Sequence, residues 1–195
     1  MEAATRGRCD ELEFKMKEEG FDARTARCGP RGNSPFGFAL GDLGDPHDAD
    51  AVKLALEMEG VDVNAMNSEG QACLYVQCSW GRSRNAALLL ADPRVDPNLA
   101  ESAKEQTPLL VAAAFGRVRC VTLLLADERV DPNLSNLNGE TPLNAAAMHG
   151  RDRCVELFFL VYGLPHAPLY PSVPILSQTH LPLWCLPNLV PLRNP

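Results

Sequence analysis

Val95-Asp96-Pro97-Asn98 returns 35 residues later as Val130-Asp131-Pro132-Asn133, and a variant, Val61-Asp62-Val63-Asn64, lies 34 residues upstream. Two further marks recur in phase with it. Thr107-Pro108-Leu109 matches Thr141-Pro142-Leu143, and Leu88-Leu89-Leu90 matches Leu123-Leu124-Leu125. A common period in three separate elements is the signature of a stacked repeat array, in which no unit buries its apolar face alone.

Working outward from the best unit, Thr107-Pro108 is predicted to open a helix, with proline at an early position where its missing donor costs nothing. Leu109, Val111, Ala112, Ala113 and Phe115 fill it, and Gly116 stops it. A second helix over about 119–126 carries Val118, Val121, Leu124 and Leu125 as one apolar face. Downstream, 141–150 and 153–159 repeat the pair with a bulkier face, Phe158, Phe159 and Tyr162. Upstream, 72–81 and 83–90 form another pair, and 34–44 with 49–58 a looser one. The segment Cys9 to Glu19 reads as a solitary second helix with one wet face, as terminal repeats require.

Ile occurs once in the 195 residues and aromatics make up 6%. The apolar content is therefore mostly Ala, Leu, Val and Pro, which suits thin helices stacked closely. A net charge of −7 argues against binding phosphate backbones, whose affinity comes from clustered Lys and Arg. The 18 basic residues look scattered, Arg24, Arg27 and Arg31 forming the only dense patch. Seven cysteines, spread along the chain, read as buried thiols in a reducing compartment. Cys120 and Cys154 lie 34 apart, at one place in successive units. Neither a signal-peptide pattern nor an apolar run long enough to span a bilayer is present.

The unit resembles the ankyrin repeat. Thr107-Pro108-Leu109 with Ala112, Ala113 and Gly116, and Thr141-Pro142-Leu143 with Ala146, Ala147 and Gly150, match that family's pattern over roughly residues 34 to 163. The resemblance implies an all-α solenoid of stacked helix-turn-helix units with β-turn fingers. It divides the chain into a degenerate half repeat or cap (1–33), four repeats (34–163) and a tail (164–195). The family's histidine after Leu is Leu110 in one unit and Asn144 in the next. In the 72–90 unit Thr and Pro become Ala72 and Cys73, and Gln77 stands where Ala is favoured, so this unit is expected to be the weak joint.

From Pro165 the tail holds eight prolines and one formal charge, Arg193. Such density forbids helix interiors and strand centres. The tail's apolarity leaves three readings: a cap on the last repeat, a short linear motif, or the accidental product of an imperfect gene model. No catalytic, phosphate-binding or metal-ligating spacing is found, and His47, His149, His166 and His180 lie too far apart for a zinc site. No enzyme activity and no cofactor is expected.

The resemblance implies a concave face, made by fingers and first helices, that contacts a protein partner. Mapped here it comprises Met66, Asn67, Glu69, Tyr75, Trp80, Glu101, Lys104, Phe115, Asn136, Asn138, Met148 and His149. The expected function is a monomeric protein-binding scaffold or adaptor in the cytoplasm, with the nucleus left open, and with neither nucleic acid nor membrane as partner. The alternative is a structural spacer, or a fragment of a longer repeat protein, without a partner of its own.

Overall fold

The computed structural model describes residues 49–57 and 60–162. Expectations for the N-terminal half repeat, the helix at 34–44 and the tail lie outside the described residues. Seven helices follow one another: α1 (Ala49–Glu57), α2 (Cys73–Trp80), α3 (Ser83–Leu90), α4 (Pro108–Ala114), α5 (Val118–Ala126), α6 (Pro142–Met148) and α7 (Asp152–Tyr162). α2 packs on α3, α4 on α5 and α6 on α7. The first helices α2, α4 and α6 stack into one layer, and α1, α3, α5 and α7 into the other. The chain is thus an all-α, two-layer solenoid over these residues.

Each unit starts and stops for local reasons. Thr107 and Thr141 cap their helices, their hydroxyls accepting from Leu110 N at 3.2 Å and Asn144 N at 3.3 Å, with proline next in each case. The stop is a left-handed glycine. Gly116 has φ of 67°, and behind it Arg117 N donates to Ala112 O at 2.8 Å while Gly116 N donates to Ala113 O at 3.1 Å. That pair of bonds satisfies carbonyls the helix end would leave open.

The layers touch through residues that recur in phase. Leu74, Leu109 and Leu143 are buried at equivalent places in the first helices, and Leu89, Leu124 and Phe158 in the second. Burial of each such side chain contributes roughly 1.5–3 kcal/mol. Between the layers stand Ala112, Ala146, Cys120 and Cys154, all fully buried. Small side chains there let the helices approach closely.

The extended β-turn fingers expected from the resemblance are not seen among the described residues. The connectors close too tightly for a hairpin. Asn67 Oδ1 accepts from Glu69 N and Gln71 N, both at 2.9 Å, and Gly70 N donates to Asn67 O at 3.0 Å. Backbone pairing then stops at one isolated bridge, Met66 with Ala72.

The 72–90 unit lacks its cap, since Ala72 offers no side-chain acceptor. Gln77, however, is no isolated misfit. It and Asn85 occupy the places held by Ala112 with Cys120, and by Ala146 with Cys154, in the next two units. Both are buried, and Asn85 Nδ2 donates to Gln77 Oε1 at 3.2 Å. The exchange of a small apolar pair for a polar pair is therefore matched across the helices, although Gln77 Nε2 and Asn85 Oδ1 find no hydrogen-bond partner among the described residues.

Two stability tests follow from this unit. Gln77→Ala and Asn85→Cys should each destabilise by about 1–3 kcal/mol, because either leaves the other amide buried with less bonding. The double variant recreates the apolar pair of the neighbouring units and should recover most of that loss in denaturant titration. Strictly additive losses would show that the two amides act independently. Separately, Ala72→Thr with Cys73→Pro should supply the missing helix start and raise Tm by a few degrees, corresponding to about 1 kcal/mol.

Candidate functional site

Turns of two or three residues make the paired helices antiparallel. The solenoid therefore has a turn end, holding residues 81–82, 115–117 and 149–151, and a connector end, holding the longer links. The twelve candidate residues divide between them. Met66, Asn67, Glu69, Glu101, Lys104, Asn136 and Asn138 lie in connectors, with Tyr75 in the first turn of α2. Trp80, Phe115, Met148 and His149 lie at the turn end. A helix of eight residues, about 12 Å long, separates the groups, so the structure does not bring them into one patch.

Several connector candidates hold the loops closed. Asn136 is buried, its Oδ1 accepting from Asn138 N and Glu140 N at 3.0 Å, as the Oδ1 of Asn67 does from its own loop two periods upstream. Glu101 is also buried, its carboxylate accepting from Ala103 N at 2.7 Å and Lys104 N at 2.6 Å. Tyr75 is buried and its hydroxyl donates to Gln106 Oε1 at 3.2 Å. Burial, reinforced by the charge of Glu101, pushes the Tyr75 phenol up to about 12. Met66, Glu69, Lys104 and Asn138 remain exposed.

The connectors also carry the seams between units. Asn64 Nδ2 donates to Arg94 O at 2.9 Å while its Oδ1 accepts from Asp96 N at 2.9 Å. Asn98 repeats this grip on Arg129 O and Asp131 N. Arg94 Nη2 reaches back to Leu56 O at 2.7 Å and Arg129 Nη2 to Leu90 O at 2.7 Å, so each guanidinium meets the carbonyl end of the previous second helix. Asp92 and Asp127 bond those arginines, and the bonds hold both carboxyls below the usual range. These residues are structural, and the recurring Val-Asp-Pro-Asn owes its asparagine to this seam.

At the turn end the side chains point to water. Trp80 is 59% exposed, Phe115 53% and Met148 53%; His149, in register with Trp80 and Phe115, is exposed too. The Arg82 guanidinium stands 6.0 Å from the Trp80 ring centre and that of Arg117 5.9 Å from Phe115. Arg117 Nε donates to Ser79 O at 3.0 Å and Arg151 Nε to Ala114 O at 2.9 Å, tying each unit to the end of the first helix before it. A Cβ placed on Gly81 would sit 2.8 Å from Arg117 Cδ, and one on Gly116 would sit 2.9 Å from Arg151 Cδ. Glycine is required twice over here, by φ and by the arginine lying on it.

These arginines correct the expectation that the basic residues are scattered. Gly81-Arg82-Ser83-Arg84, Gly116-Arg117-Val118-Arg119 and Gly150-Arg151-Asp152-Arg153 recur with the repeat, and stacking brings all six arginines to one edge. The signal was present as a fourth in-phase mark. Arg84, Arg119 and Arg153 are exposed, and among the described residues they make no hydrogen bond or ion pair.

Nothing in this arrangement resembles a reaction centre. The thiols of Cys73, Cys78, Cys120 and Cys154 are free and buried. Burial holds Cys73 and Cys154 above the ordinary thiol range, and contact with Cys120 together with burial does the same for Cys78. The same contact lowers Cys120, which is fully enclosed; thiols that are enclosed or held neutral are poor nucleophiles. Among the described residues no cluster of His, Cys, Asp and Glu could hold a metal ion, and no helix is long and apolar enough to cross a membrane.

No curated protein matches the chain. A family model described as ankyrin repeats in three copies matches residues 87–163, a span that contains the capped helices, the left-handed Gly116, Gly139 and Gly150, and two of the three arginine turns. Residues 87–163 are identified as ankyrin repeats.

Proposed function

We propose that the protein is a scaffold or adaptor that binds another protein and performs no catalysis. Ankyrin repeats support a protein-interaction module in general terms, and one observation carries the reading further for this chain. Trp80 and Phe115, in register one unit apart, hold large rings in water where a stable solenoid gains nothing from them. Exposed aromatics beside arginine are the residue types that most often anchor an interface. Met148 and His149 extend the row, while Met66, Glu69, Lys104 and Asn138 offer a second, polar surface at the connector end. The full proposal places four repeats in 34–163 between a half repeat (1–33) and a tail (164–195), in a monomer of the cytoplasm.

The test is an affinity capture with the full chain, read by mass spectrometry. Trp80→Ala with Phe115→Ala should leave Tm unchanged and weaken retention of specific partners more than tenfold, an anchor being worth about 2 kcal/mol or more. Exchange of Met66, Glu69, Lys104 and Asn138 should have a smaller effect. Retention indifferent to both sets would favour the spacer reading.

A further inference from the structure

We propose that the turn end is a receptor for an extended acidic protein segment whose carboxylates recur about every third residue. This rests on the reading of the protein as a binding module and supplies its partner's chemistry. The chain carries a net charge of −7, yet one edge of the stack collects six arginines at three equivalent turns. Arg84, Arg119 and Arg153 stand exposed and unpaired among the described residues. Arg117 and Arg151 are fixed through Nε to Ser79 O and Ala114 O. Their outer guanidinium nitrogens make no hydrogen bond among the described residues, so two planar forks are held in place one unit apart. A fork fixed in advance loses little freedom on receiving a carboxylate in two parallel hydrogen bonds.

The spacing selects the ligand's conformation. Packed helices lie about 8–10 Å apart, and an extended polyproline II segment advances about 3.1 Å per residue with three residues per turn. One unit of the stack therefore corresponds to one turn of such a segment, and residues three apart present the same face to it. Trp80 and Phe115 lie beside the arginines, so apolar side chains between the carboxylates would meet aromatic rings. A phosphate polymer or an anionic membrane fits less well. Both draw their affinity from a broad cationic surface, whereas here the arginines are confined to one edge of a chain with a net charge of −7. Asp152 interrupts the third turn, which should make that step the weakest of the three.

The experiment uses the full chain and a fluorescein-labelled peptide of about 12 residues with Asp-Leu-Gly repeated, so that carboxylates fall three apart. Fluorescence anisotropy should give saturable binding that weakens between about 50 and about 200 mM salt. A peptide with Asn for Asp should not bind, and one with the same aspartates clustered should bind at least tenfold more weakly. The triple variant Arg84→Gln, Arg119→Gln, Arg153→Gln should lose at least tenfold in affinity at unchanged Tm, whereas Asp152→Asn should gain. Equal affinity of the triple variant, indifference to aspartate spacing, or tighter binding of duplex DNA or phosphatidylserine vesicles through the same arginines would overturn the proposal. If the peptide fails but partner capture still depends on Trp80 and Phe115, the acidic-segment proposal falls and the binding-module reading stands.

Discussion

The contact on which this solenoid turns is an arginine methylene lying on the glycine of the preceding unit. Gly81 must be glycine because its backbone is left-handed and because Arg117 Cδ would sit 2.8 Å from any Cβ. That closeness lets Arg117 Nε reach Ser79 O and close the helix end with a charged donor from a different repeat. Helix termination, unit-to-unit spacing and the direction of the guanidinium are thus set by one contact, and Gly116 with Arg151 sets them again. The exposure of Trp80 and Phe115 follows, since Trp80 ends α2 and Phe115 directly follows α4, each just before the glycine of a turn too short to fold back over it.

Much of this was legible in the sequence, and the boundary is instructive. Thr107-Pro108 and Thr141-Pro142 act within their own helices, so the cap and proline rules find them without knowledge of neighbours. The in-phase leucines announce stacking for the same reason. What escaped was whatever acts between units. Gln77 looked like a misfit when weighed against its own helix, and became half of a pair only when Asn85 was brought opposite. The resemblance maps Asn136 and Glu101 to the finger surface by position alone, whereas their own loop amides consume them. Six arginines spread over seventy-odd residues of sequence have no density along the chain; they acquire it at one edge once the period is folded.

The two ends of the helix pairs use arginine for different ends. At the connectors Arg94 and Arg129 are bracketed by Asp92 and Asp127 and directed to backbone carbonyls, so their charge is neutralised locally. At the turns Arg117 and Arg151 are anchored through Nε to backbone carbonyls, with no carboxylate bracketing the guanidinium among the described residues. Arginine thus serves the stack at both ends, but its charge is matched by a neighbouring carboxylate only at the connectors. Sequence composition sums over both and reports an acidic protein.

The asparagine seams have a consequence for how such a chain can change. Asn64 and Asn98 each offer one donor and one acceptor, and both are spent on main-chain groups of the following unit. Main-chain groups are the same whatever the side chains beside them. A seam built this way couples neighbours while remaining indifferent to their identity, so outward positions can diverge from unit to unit without loosening the stack. Trp80, Phe115 and His149 are such a divergent series: three different rings at one structural address, each written independently onto a backbone that holds its register regardless.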